Sequence, residues 1–212
     1  MKKATFILLL FIFQFTISQE VAILKYDGGG DWYSNPTAVP NLIAFCNQNI
    51  DTKIKVVPKV VETDSVELFN YPIIFMTGHG NVFFDYNAVE NLRNYLTSGG
   101  FLHISDNYGM DKFVRREMKK VFSDLDFEEI PYNHSIYHQK YDFDEMPKIH
   151  EHDNKPAQGF GLFYEGRLVC FYDFQSDLSD GWEDQIVHHD SQEVREKALK
   201  MGANLIQYNF TN

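Results

Sequence analysis

The chain has 212 residues, 44% of them hydrophobic and 16% aromatic, and carries a formal net charge of −11. That length and apolar share suit one domain with a sizeable core. The acidic balance excludes nucleic acid and anionic lipid as partners, because a negative surface repels both.

In chain order, the first segment reads as a secretory signal peptide over residues 1–18. Lys2 and Lys3 form its positive start, residues 6–13 its apolar run, and Thr16 and Ser18 the small residues of a cleavage site that leaves Gln19 as the new N-terminus. The apolar run is about half of the roughly 20 residues needed to span a bilayer. A permanent anchor is therefore the weaker alternative, and no later segment is long and apolar enough to span. The expected mature unit is a single domain over residues 19–212, soluble, periplasmic or secreted, with no membrane span.

Residues 21–26 form a short apolar run entering Asp27-Gly28-Gly29-Gly30, which predicts a buried strand and a loop. A helix follows over 37–49, with Val39, Leu42, Ile43, Cys46 and Ile50 on one face. Residues 54–57 read as a weaker strand stopped by Pro58. The clearest buried strand is 72–76, broken at Thr77-Gly78-His79-Gly80. Asp85 is placed to cap a second helix that ends at Gly99. Residues 101–104 are a strand ending at Ser105-Asp106-Asn107, and a third helix starts at Asp111. Residues 123–158 are irregular, with Pro131, Pro147 and Pro156, and a loop of that length is functional or a covering lid. Residues 160–164 and 167–174 flank Glu165-Gly166 as a hairpin, and a last helix occupies about 191–208.

Short apolar strands alternating with amphipathic helices imply an α/β three-layer sandwich around a mostly parallel, flavodoxin-like sheet in the order 2-1-3-4-5. In that order the first and third strands meet where the winding reverses, and ligands of open α/β sheets bind there. The loops after the first, third and fourth strands should converge. They supply the candidate ligand-binding residues Asp27, Gly29, Asp31, Trp32, Tyr33, His79, Asp106, Asn107 and Tyr108, with Trp182 closing one wall. Aromatic faces beside a few directed polar groups suit a small polar ligand such as a sugar.

No cofactor is expected. The glycines miss the G-x-G-x-x-G spacing, because Tyr33 stands where the third glycine belongs, and Asp27 and Asp31 would repel a phosphate. A metal-assisted hydrolase is the sharper alternative, with His79 and Asp106 joined by His134 or His138. On this reading His150, His152, His188, His189 and Asp190 are solvated loop and helix-start residues. Both cysteines read as small buried hydrophobes rather than nucleophiles or a disulfide pair.

The motifs Tyr26-Asp27-Gly28-Gly29-Gly30-Asp31-Trp32-Tyr33, Thr77-Gly78-His79-Gly80, Gly99-Gly100-Phe101-Leu102 with Asp106, Arg115-Arg116-Glu117-Met118, and Asp180-Gly181-Trp182-Glu183 run through nearly all of the mature chain. Through them it resembles an uncharacterised family of exported bacterial domains of unknown function. More distantly, the Gly-Gly-strand, His134-Ser135-Ile136 and Asp144-Glu145 resemble class I glutamine amidotransferase-like domains of the trehalose-utilisation branch. That resemblance implies a flavodoxin-like sheet and, in true amidotransferases, a nucleophilic Cys on a sharp turn. Here the corresponding turn is Ser105-Asp106-Asn107, with no Cys. The resulting expectation is a non-catalytic domain that binds a small polar ligand or an envelope protein.

Overall fold

The computed structural model describes residues 19–211. The expected signal peptide lies outside the described residues. Seven strands form one sheet: β1 (Ala22–Lys25), β2 (Lys59–Glu62), β3 (Ile73–Gly78), β4 (Phe101–Asp106), β5 (Glu128–Glu129), β6 (Gln158–Tyr164) and β7 (Arg167–Phe174). Their order is β2-β1-β3-β4-β7-β6-β5. The first five in that order pair in parallel, and β6 and β5 extend the edge antiparallel. The expected 2-1-3-4-5 order therefore holds for the parallel part, with β7 as its fifth strand. The hairpin turns on Glu165 and Gly166, both at positive φ, the geometry of a tight two-residue connection.

Helices cover both faces. α1 (Ala38–Asn49) and α5 (Gln192–Thr211) contribute Leu42, Ile43, Met201 and Leu205 to one core cluster, which takes Phe75 and Phe171 from the sheet. α2 (Tyr86–Thr97) and α3 (Asp111–Val121) contribute Leu92, Leu96, Val114 and Met118 to the other, against Ile74, Leu102 and Ile104. This is a three-layer α/β sandwich, flavodoxin-like in its winding. Asp85 caps α2 as its position in sequence implies, accepting the Ala88 N–H at 2.8 Å.

α1 has no cap from its own flanking residues. Buried Glu183, far along the chain, accepts the N–H groups of Thr37 (2.9 Å) and Ala38 (2.8 Å) and the Thr37 hydroxyl (2.9 Å). A carboxylate there satisfies orphan donors and meets the positive end of the helix dipole. Sequence capping rules look only at adjacent residues and could not find it.

Contrary to expectation, β2 begins after Pro58 rather than ending before it. Val56 and Val57 are exposed at 47% and 79%, so the apolar run at 54–57 does not lie in the sheet. The irregular segment 123–158 packs closely rather than hanging free, a detail the sequence did not supply: Ile136, Tyr137, Phe143 and Met146 are buried in the core beside α5, and the Asn204 side chain accepts the N–H groups of Lys140 and Tyr141 and donates to the Tyr141 carbonyl. A short helix, α4 (Gln185–His188), precedes α5. Cys46 and Cys170 are free and buried in opposite core clusters, so the sheet separates them. Burial pushes the Cys46 thiol up to about 12 and Cys170 well above its ordinary value.

Candidate functional site

The register of the central strands sets Thr77 beside Ser105 and Ser105 beside Asp173. Side chains alternate along a strand, so this row faces the same layer as Phe75 and Phe171, which flank His103 two residues earlier. The carboxyl end of the sheet thus carries a polar row over an aromatic one. Ser105 Oγ donates to Asp173 Oδ1 at 3.1 Å and accepts the Ser179 N–H at 3.1 Å. Thr77 Oγ1 and Ser179 Oγ lie 3.0 Å apart, and both donate to Asn107 Oδ1. Asn107 Nδ2 donates to Asn35 Oδ1, and Asn35 Nδ2 donates to Asp180 Oδ1 at 2.6 Å. One hydrogen-bond chain therefore runs from the sheet interior to its rim.

Beneath this chain, His103 Nε2 meets Asp173 Oδ2 at 2.7 Å, with both residues essentially inaccessible. Geometry alone would read an ion pair. Full burial, however, drives the imidazole down to about 3 and the carboxyl well above its usual range, because low dielectric penalises each charge. We assign a neutral pair. In a neutral pair one proton is shared in the bond between Oδ2 and Nε2, and Nδ1 has no hydrogen-bond partner.

A cavity of about 290 Å³ opens beside this row. Ile23, Val39, Phe75, Trp32, Tyr33 and Trp182 form apolar and aromatic walls, while Asn35, Thr77, Ser105, Ser179 and His103 supply polar atoms. Exposed Tyr33, Val57 and Val60 stand at its edge.

The loops after β1 and β3 are joined by the Gly30 N–H donating to the Asn81 carbonyl, and by His79, whose Nδ1 lies 3.0 Å from Asp31 Oδ2 and whose N–H donates to Asp31. Partial burial works to raise the Asp31 carboxyl, but these hydrogen bonds outweigh it and hold it below its usual range. Close approach also explains Gly78, at φ +139°: a Cβ there would sit 2.3 Å from the Tyr26 hydroxyl. The structure brings Trp32, Tyr33 and Trp182 to the cavity and sets Asn107 behind it. Other sequence candidates go elsewhere. Gly29 is a turn residue at φ +85° with nothing packed against its Cβ position. Asp27 lines a separate, smaller pocket with Lys25 and Asp85. Asp106 packs toward α3, where one oxygen accepts the Met110 N–H and the other the Tyr172 hydroxyl. Burial raises its carboxyl despite those bonds. None of the described bonds joins Asp106 to His79. His134 packs on Phe163 and Tyr208, and His138 pairs with Asp142.

A family model described as Domain of unknown function (DUF4159) matches residues 20–210. The chain belongs to that family. No curated protein matches it.

In this DUF4159 domain, sequence reading missed a second group of polar side chains at the rim. His150, His152 and His188, taken as solvated, converge on Asp177, Asp180 and Asp190. Tyr108 belongs to this neighbourhood, stacking on His152 at 4.4 Å and donating to Asp153. Hydrogen bonds to Asp177 and Asp180 push His150 up to about 10. Three remote segments supply the cluster, and no local spacing announces it.

Proposed function

We propose that this chain is a binding domain that takes a small ligand into the cavity between α1, the loop after β1 and the ends of β3 and β4. The observation that carries the reading is the meeting, in one cavity, of aromatic walls with the hydrogen-bonding groups of Asn35, Thr77, Ser105 and Ser179. Small molecules bind in such concave sites, where apolar surface supplies affinity and a few fixed polar groups supply orientation. The lining is more apolar than a purely polar ligand needs. The best-fitting occupant pairs a flat or branched apolar body with one or two hydroxyl or carbonyl groups, a description that includes a sugar stacked on Trp32. It is either free or presented by an envelope protein.

Binding is favoured over hydrolysis because the nucleophile candidates are committed. Ser105 already donates to Asp173 and accepts from Ser179, and both thiols are buried. His79 and Asp106 are each engaged with other partners.

Val39→Phe fills the cavity from α1 without touching the hydrogen-bond chain. Thermal-shift and ligand-observed NMR measurements with a panel of monosaccharides, short alcohols and acids, and small aromatic alcohols should find a member that binds the wild type. Val39→Phe should remain folded and lose that binding. A wild type that binds no member, or a folded variant that binds as well, would overturn the proposal.

The proposed place of action is the periplasm or the exterior, supported by Lys2, Lys3 and the apolar run at residues 6–13. N-terminal sequencing of the protein from the native host should begin at Gln19. A chain that retains Met1 or Lys2 would contradict export.

A further inference from the structure

His150 precedes β6, Asp180 lies in the 3-10 turn that follows β7, and His188 ends α4. One ligand atom from each lies within 4.8 Å of the other two. We infer that these three side chains form a divalent transition-metal site, with Zn²⁺ as its best match, at the rim of the sheet.

The spacings are those of metal ligands. His150 Nδ1 is 3.2 Å from Asp180 Oδ2, and His188 Nε2 is 3.8 Å from the same oxygen. A tetrahedral ion with bonds of about 2.0–2.1 Å sets its ligands about 3.3 Å apart, so His188, with the three ligand atoms within 4.8 Å of one another, has to close in to complete the set. Asp177 offers a fourth ligand, with Oδ2 3.4 Å from His150 Nδ1. Its side chain is 1% exposed, and its Oδ1 has no hydrogen-bond partner. Asp177 Oδ2 also meets His152 Nε2, while Oδ1 is left unsatisfied, and a buried carboxylate oxygen without a partner is costly unless a cation or donor reaches it.

Outer contacts fit as well. Bound metals orient their ligands through a second ring of hydrogen bonds, commonly a carboxylate on the far nitrogen of a histidine. His150 Nε2 faces both oxygens of Asp190 at 3.3 Å, and the other oxygen of Asp180 accepts the Asn35 amide at 2.6 Å. Among the described residues no lysine or arginine is paired with Asp177, Asp180 or Asp190, so three carboxylates meet with only imidazoles to offset them. Two neutral nitrogens and one or two carboxylate oxygens suit Zn²⁺ and its neighbours better than Ca²⁺ or Mg²⁺, which take oxygen alone. The site does not depend on the cavity having a ligand, although Asn35 touches both.

The test uses tag-free protein beginning at Gln19, stripped with a chelator and titrated with Zn²⁺ by calorimetry, with elemental analysis after dialysis. The wild type should hold one equivalent. The His188 side chain is 31% exposed, on a four-residue helix with no buried residue, so His188→Ala should fold normally and bind more than about tenfold more weakly, at least the loss caused by removing an outer-ring partner. Asp180→Asn should do the same, while His138→Ala, which removes a histidine from a His–Asp pair elsewhere, should bind as wild type. Retention of well under one equivalent by the wild type would overturn the inference. So would unchanged binding in both ligand variants, or an equal loss in His138→Ala.

Discussion

Trp182→Ala is expected to destabilise the domain by about 3–5 kcal/mol, the cost of removing a large aromatic side chain from a filled core. At this chain length that corresponds to a fall in melting temperature of about 6–20 °C. Trp182 is fully buried, packs edge-on against Phe75 at 6.0 Å and lies 5.5 Å from His103. Its Nε1–H donates to the Ala198 carbonyl at 2.9 Å, and its own carbonyl accepts from Asn41. Gly202 is cut to its shape, since a Cβ there would come within 2.7 Å of the indole. The ring thus ties the turn after β7 to α1 and α5, and so holds Glu183 over the start of α1. Trp182→Phe keeps most of the volume and loses the indole hydrogen bond, so it should cost about 1–2 kcal/mol. Urea unfolding of the three proteins decides the matter. A loss below about 1 kcal/mol for the alanine variant would mean that the turn is held by something other than this ring.

The same residue shows where sequence reading stops. The Asp-Gly-Trp motif marked the segment as special, yet only coordinates show Trp182 serving as core and cavity wall together. The central strands were legible because buried strands are short apolar runs, although β3 and β4 run on to Gly78 and Asp106, past the apolar residues at 76 and 104. Caps were legible where they are local, as at Asp85. β2 was not, because an edge strand with one partner carries little hydrophobic pattern: Val60 is 49% exposed, while Val56 and Val57, which look like strand residues, stand outside the sheet. The polar row was out of reach for another reason. Thr77, Ser105 and Asp173 are neighbours only through the register of β3, β4 and β7, and a shift of one residue would turn each to the other face. For Asp106, alternation along β4 decided against the cavity, since it lies one residue beyond Ser105 and so points toward α3. The histidines at 150 and 188 sit in stretches with no periodicity, where nothing local distinguishes a ligand from a solvated side chain.

Asp173→Asn should stabilise the protein increasingly as pH rises above neutrality. In the wild type burial raises the Asp173 pKa well above the ordinary value and so favours the protonated carboxyl in the folded state. The unfolded chain ionises near the usual carboxylate pKa of about 3.9. Stability from that proton is therefore complete below the unfolded value and is lost as pH rises toward and through the folded one. His103 works in the opposite direction. Its folded pKa is lowered to about 3, so its contribution is lost as pH falls below about 6.5 and is constant above it. Of this pair, only Asp173 then contributes a pH dependence above about pH 6.5, with a slope of up to about 1.4 kcal/mol per pH unit until the folded carboxyl ionises. Asparagine copies the protonated acid: its amide donates to His103 Nε2, and its oxygen accepts from the Ser105 hydroxyl and from the Leu178 N–H, which lies 3.4 Å away. The variant should match the wild type near pH 4 and exceed it progressively at higher pH. Asp173→Ala removes the acceptor of the Ser105 hydroxyl and the partner of His103 Nε2, and should cost about 2–4 kcal/mol near pH 4, a deficit that shrinks as pH rises. Urea unfolding at about pH 5, 7 and 9 reads all three. If Asp173→Asn is strongly destabilising and its deficit does not shrink with pH, the buried pair is ionised, with a carboxylate facing an imidazolium, and the polar row is organised by charge rather than by neutral hydrogen bonds.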